Sequence, residues 1–300
     1  MPRFLPYHSA RAGLFLVMLA SILWGTGNVF AKSLYTIAET NAFSVAFLRM
    51  ALSIPALFLV CWVTLGRRMW VFHTHDLPLM LGTGTLVALY QVAFYASLPR
   101  IAVSIATVLA LCSAPVIVAV LSLLINRERP TKPTLMALVC ALTGTVLLVN
   151  VQADDIQTDL LGTALALLAG LLYALNILVS RSLGGRSQAH PLQTALVGFA
   201  FGAVILLIIA LNAGLVLTYP MAGWLRLAYL GLGPTAIGYG IYYWGMRTTT
   251  AAAASIATLL EPLTSALIAV FWLNEPLSPQ ALMGAGLLMA AMGLLVLNKR

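Results

Sequence analysis

Ten apolar stretches, each long enough to cross a bilayer, occupy almost all of the 300 residues and confine the chain to a membrane. They fall at about 14–33, 43–65, 77–98, 101–125, 133–151, 160–182, 192–217, 223–246, 249–272 and 278–297. A hydrocarbon core about 30 Å thick needs a helix of roughly 20 residues. Charged residues make up 8% of the chain against 61% hydrophobic, too little polar surface to coat a soluble domain. The apolar runs do not alternate as barrel strands do. A helix satisfies its own backbone hydrogen bonds in lipid, so the expected fold class is an all-α polytopic membrane protein with ten transmembrane helices. The boundaries between spans three and four, and between eight and nine, are the least sharply marked.

Charge orients the spans. With both termini in the cytoplasm, the cytoplasmic segments hold Arg3, Arg11, Arg67, Arg68, Arg127, Arg129, Lys132, Arg181, Arg186, Arg247, Lys299 and Arg300. The other side holds Lys32, Arg100 and Arg226, and Arg49 falls inside a span. Basic residues favour the cytoplasmic side in this way across polytopic proteins. The net charge of +8 then reflects loops beside anionic lipid, and no nucleic-acid partner is expected. Span one closes on Phe30-Ala31-Lys32-Ser33 without a small-x-small cleavage site, so it is expected to be a retained helix.

The chain repeats itself. Leu19-Ala20-Ser21-Ile22-Leu23-Trp24-Gly25 matches Leu168-Ala169-Gly170-Leu171-Leu172-Tyr173-Ala174, and Lys32-Ser33-Leu34 meets Arg181-Ser182-Leu183. A second region sets Ala114-Pro115 beside Glu261-Pro262, Asn126 near Asn274, Glu128 beside Glu275, and Leu135-Met136 beside Leu282-Met283. The expected organisation is a five-helix unit at 1–151, an external acidic linker at 152–159 and a second five-helix unit at 160–300. An odd number of spans inverts the second unit. Inverted halves exchange the exposure of a central site by rocking, which points to a transporter.

Trp24-Gly25-Thr26-Gly27-Asn28, Phe47-Leu48-Arg49, Ala114-Pro115, Leu260-Glu261-Pro262 and Leu273-Asn274-Glu275-Pro276 occur in order. With these motifs the chain resembles the EamA-like group of the drug/metabolite transporter superfamily along nearly its whole length. The resemblance implies ten helices in two inverted five-helix repeats and a bacterial inner-membrane location. It also implies a cavity formed by the first four helices of each half, with the fifth helices used for packing or for a homodimer. Characterised relatives of this kind export amino acids or other small metabolites.

Polar and aromatic residues within the spans are the candidates for a substrate pathway. Trp24 and Asn28 share a face of span one, as do Gln91 and Tyr95 of span three and Tyr239 and Tyr243 of span eight. Tyr90 and Trp244 extend these patches. The competing reading is ordinary packing plus an interfacial aromatic belt, which suits Trp62, Trp70 and Trp224. Glu261 is the candidate for coupling or gating. It is placed to bind a substrate amine, exchange a proton, or tie helices together. Pro262 frees the Thr258 carbonyl, and Pro115 predicts a related irregularity in the first half. Arg49 has three readings: snorkelling to the interface, binding a carboxylate, or balancing Glu261.

Gly198-x-x-x-Gly202, Gly82-Thr83-Gly84, Gly231-Leu232-Gly233 and Gly284-Ala285-Gly286 predict close helix packing and not a phosphate cradle. Cys61, Cys112 and Cys140 all fall in spans and read as packing residues. His8, His73, His75 and His190 form no ligand pattern. No metal, no cofactor and no catalytic set is expected, with proton coupling through Glu261 left open. The expected function is secondary export of a small-molecule substrate by alternating access, in contact with membrane lipid. The alternatives are a pore-like channel and, further off, an intramembrane enzyme.

Overall fold

The computed structural model describes residues 7–71, 75–126, 131–149, 159–186, 190–273 and 278–297. Among them the chain is all helical. The first half supplies α1 (Tyr7–Leu34), α2 (Ala42–Leu65), α3 (Leu77–Ser97), α4 (Val103–Asn126) and α5 (Lys132–Val149). The second begins with α6 (Leu160–Arg186) and α7 (Pro191–Asn212). Its third span is composite: α8 (Met221–Leu230), a π-helical stretch at Gly231–Ile237, and α9 (Gly238–Gly245). Its fourth is α10 (Ala251–Ala257) followed by α11 (Leu260–Leu273), and its fifth is α12 (Pro279–Leu297). The ten expected spans are therefore present, two of them interrupted. The 152–159 linker lies outside the described residues apart from Asp159, as do Glu128, Asn274, Glu275 and Pro276.

Helix ends follow local chemistry. The Asn41 side chain accepts from the Ser44 N–H at 2.9 Å to start α2, and Gly66 ends it at φ 54°, a left-handed angle that favours glycine. Asp159 accepts from the N–H groups of Leu161 and Gly162 to start α6 and pairs with Arg100 at 3.1 Å across the α3–α4 turn. These hydrogen bonds, first of all that from Gly162, hold its carboxyl below the usual carboxylate range. Gln193 at the start of α7 donates to the carbonyls of Arg68, Met69 and Val71, which fixes the 3₁₀ turn after α2.

His190 caps α7 by accepting from the Leu192 N–H through Nδ1, which requires a neutral ring. Burial, and then Arg247, hold its pKa below the ordinary value. The cap's contribution is therefore whole above the unfolded pKa and lost as pH falls through the lowered one. Between about pH 8 and about pH 5 the protein is expected to lose roughly 0.5–1 kcal/mol from this source. Thermal unfolding of His190→Asn, which caps at every pH, checks this: its pH dependence over that window should be the shallower one.

The packing partners repeat. α1 lies against α9 and α11 of the second half, as α6 lies against α3 and α4 of the first, and α5 pairs with α12. Glycines set the closest crossings. A Cβ on Gly84 would overlap the Gly198 carbonyl, and one on Gly202 would come within 2.8 Å of the Gly84 carbonyl, so α3 and α7 meet backbone to backbone. A Cβ on Gly144 would lie 2.8 Å from the Gly284 carbonyl, which joins α5 to α12 within one chain. Gly82 and Gly286 face open space, so only one glycine of each pair thins a contact. Cys61 is buried, Cys112 and Cys140 are half-buried, and all three are free thiols.

Candidate functional site

The Trp24-Gly25-Thr26-Gly27-Asn28 run inserts α1 between the interrupted spans of the second half. Gly25 faces α11: a Cβ there would sit 2.6 Å from the Glu261 carbonyl. Gly27 faces the π segment, with Pro234 Cγ 2.9 Å from its own would-be Cβ. The residues between and beside them make polar contacts. Trp24 Nε1 donates to the Pro234 carbonyl at 3.0 Å, and the Thr26 and Tyr229 hydroxyls meet at 2.6 Å. Asn28 Nδ2 donates to Glu261 Oε1 at 2.9 Å and to Ser265 Oγ at 3.3 Å. Ser265 donates in turn to the carbonyls of Gly25 and Glu261. Every polar partner of this run lies in the other half of the chain or on α1 itself.

The two interruptions have a common cause. Pro234 lacks an N–H and leaves the Leu230 carbonyl without its α-helical donor. The Thr235 hydroxyl supplies one at 2.7 Å. Such π turns gather at functional sites. Pro262 acts similarly, with a different outcome from the one predicted. The Thr258 carbonyl is not free, because the Glu261 N–H turns back to it at 3.0 Å in a tight 3₁₀-type turn, and the Thr258 hydroxyl bonds the Ser255 carbonyl. The irregularity therefore aims the Glu261 side chain and offers no extra acceptor. Pro115 departs from expectation too: α4 runs through it without a break.

Aromatic rings pack beside this seam. Trp24 packs on Tyr239 at 4.7 Å and on Tyr242 at 5.3 Å. Tyr173 packs on Tyr90 at 5.1 Å. The sequence offset that aligns Trp24 with Tyr173 also aligns Tyr90 with Tyr239, so the two ring pairs occupy equivalent positions in the two halves. Tyr242 and Tyr243 are almost fully buried, and their hydroxyls, like that of Tyr173, have no hydrogen bond of good geometry. Each faces a hydroxyl neighbour: Ser180, Thr83 and Thr258 respectively. Arg49 is half-buried on α2, and its Nε is buried without a hydrogen-bond partner. It lies within electrostatic range of Glu261, Tyr90 and Tyr239.

The structure thus brings Trp24, Asn28, Arg49, Tyr90, Tyr239, Tyr243 and Glu261 to one region. It separates others. Trp244 is 46% exposed and sets its ring edge-on to His190, because one residue beyond Tyr243 is a rotation of about 100° around the helix. Tyr95 lies at the edge of the region, meeting Phe43 at 6.3 Å toward the end of α3 while staying within electrostatic range of Tyr90 and Tyr239. Gln91 is buried and turns its amide onto the Val87 carbonyl of its own helix. The hydropathy pattern missed Tyr173, Ser265 and the π segment. Pro234 beside Gly231 and Gly233, followed by Thr235, was the signal for the last of these.

Among the described residues no group of His, Cys, Asp and Glu is arranged to hold a metal. A multi-spanning helical bundle with a polar and aromatic seam between two matched halves is built as a membrane transporter of small solutes. The chain belongs to the EamA-like transporter family, part of the drug/metabolite transporter superfamily, whose sequence profile matches residues 11–150 and again 160–297. The uncharacterized transporter YwfM of Bacillus subtilis is 30% identical over 288 residues, covering 94% of this chain and 92% of that protein. The threonine/homoserine exporter RhtA of Escherichia coli is 30% identical over 279 residues, covering 93% and 88%. A solved crystal structure shares the fold, with a TM-score of 0.79 at 16% identity over 94% of this chain and 95% of the other. Family and fold are those of transporters, not of enzymes.

Proposed function

We propose that this protein exports amino acids or similar small metabolites across the bacterial inner membrane by alternating access, with both termini in the cytoplasm. The observation that carries the reading is the Asn28–Glu261 hydrogen bond. It joins span one of the first half to span nine of the second at membrane depth, where polar groups serve pathways. The matched ring pairs Trp24–Tyr239 and Tyr173–Tyr90 support halves that exchange roles as inverted repeats. The similarity to a threonine/homoserine exporter favours amino acids as the substrate class. Asn28 is exposed, whereas Tyr239, Tyr242 and Tyr243 are buried, which fits a site open toward the Asn28 end and sealed by the rings at the other.

Purified protein in proteoliposomes tests this by counterflow of radiolabelled amino acids. Saturable, mutually competitive exchange is the expected result, and unsaturable leakage would replace the transporter reading by a channel. Proton coupling through Glu261 belongs to the same proposal. At saturating substrate, folded Glu261→Gln protein should retain exchange and lose gradient-driven accumulation; unchanged gradient dependence would remove Glu261 from that role.

A further inference from the structure

Arg49 lies within α2, and Glu261 lies in the first turn of α11, where the fourth span of the second half is interrupted. They carry opposite charges and lie within electrostatic range of one another, yet no ion pair joins them. Both lie within electrostatic range of the same two rings, Tyr90 and Tyr239. Asn28 takes up one carboxylate oxygen of Glu261, while Arg49 leaves a buried N–H unpaired. A buried N–H without a partner is costly in a membrane bundle. Direct pairing of the two residues would relieve that cost, and the fold keeps them apart.

We propose that the gap between Arg49 and Glu261 is a binding site for the two α-groups of a free amino acid with an uncharged side chain. The inference rests on the transport reading above and narrows it. The substrate carboxylate bonds the Arg49 guanidinium, and its ammonium bonds Glu261 beside Asn28. A simple anion would satisfy Arg49 alone, and an amine would satisfy Glu261 alone. Only a zwitterion satisfies both and leaves the site neutral. With no third charge among the rings, a charged side chain would be desolvated without a partner. The Tyr90–Tyr173 and Trp24–Tyr239 pairs give the side chain an apolar wall with hydroxyls at hand.

The test is binding of the proteinogenic amino acids to the purified full chain, followed by blocked forms of the best ligand. The amide removes the carboxylate and the N-acetyl form removes the ammonium. Each is expected to bind at least about tenfold more weakly than the free amino acid, as loss of a charge-assisted contact predicts. Arg49→Gln should abolish discrimination between acid and amide but keep that against the N-acetyl form. Glu261→Gln should do the reverse. A merely structural role would weaken all three ligands alike. Equal binding of free and blocked forms by the unaltered protein overturns the proposal even if neither variant folds, and so does the absence of any amino-acid ligand. Saturable counterflow of an amine or an organic anion, without these preferences, would sink the zwitterion site and leave the transporter standing. Leakage without saturation for every solute would sink the transport reading itself.

Discussion

Gly84→Val is expected to prevent the bundle from assembling, whereas Gly82→Val, two residues away, leaves it intact. A Cβ at position 84 would overlap the carbonyl of Gly198, and the neighbouring approach of Gly202 to the Gly84 carbonyl leaves no room to slide. The atom met is backbone, so no rotamer change relieves the clash, and α3 must part from α7. Parting removes the close van der Waals contact that holds helices together where lipid is as apolar as the side chains. The cost should exceed the roughly 1–3 kcal/mol usual for overpacking. Position 82 has nothing within 4 Å of its would-be Cβ, so valine there enters open space. Thermal unfolding of the two variants in one detergent, with the monodisperse yield of each, makes the comparison. Equal stability would mean that α3 and α7 do not cross at Gly84.

Trp24→Ala should be the most damaging single change at the site. Trp24 is 8% exposed, donates to the Pro234 carbonyl and packs on two tyrosines. Truncation leaves a cavity and an unmet carbonyl in the π segment, a loss of about 3–5 kcal/mol for a large buried aromatic. Trp70, 60% exposed at the end of the 3₁₀ turn, is the control: its removal should change stability and substrate affinity little. Trp24→Phe separates the two components, because it keeps most of the ring contact and loses the hydrogen bond. In folded protein, affinity should fall in the order unaltered, Phe, Ala. Trp24→Ala protein that bound its substrate as tightly as Trp70→Ala protein would remove Trp24 from the site.

The motif at the end of span one illustrates how far residues can be read before a fold is known. Trp24 and Asn28 were legible as one face of a helix from their spacing, and Glu261 as a carboxylate at membrane depth beside a proline. That Asn28 bonds Glu261 was not legible, because the partners are 233 residues apart and the bond depends on how two helices are rotated about their axes. Trp244 shows the opposite failure. It belongs to the same aromatic run as Tyr243, and only the rotation of α9 sends it to His190 instead of the seam. Pro262 announced a break but not its form, since the carbonyl it would free is recaptured by a turn whose geometry is set by neighbours.

What the sequence determined alone is what depends on local length and composition: membrane residence, ten spans, the uneven distribution of basic residues, and the repetition of one half in the other. Hydropathy acts on each segment separately, so a single chain of letters suffices for it. The tertiary structure decided which glycines are contacts and which are not, which tyrosines pair across the halves, and that Arg49 and Glu261 come within electrostatic range without forming an ion pair. Those outcomes follow from close packing between segments distant in sequence, where a rotation of one helix by a single residue replaces every partner on its face.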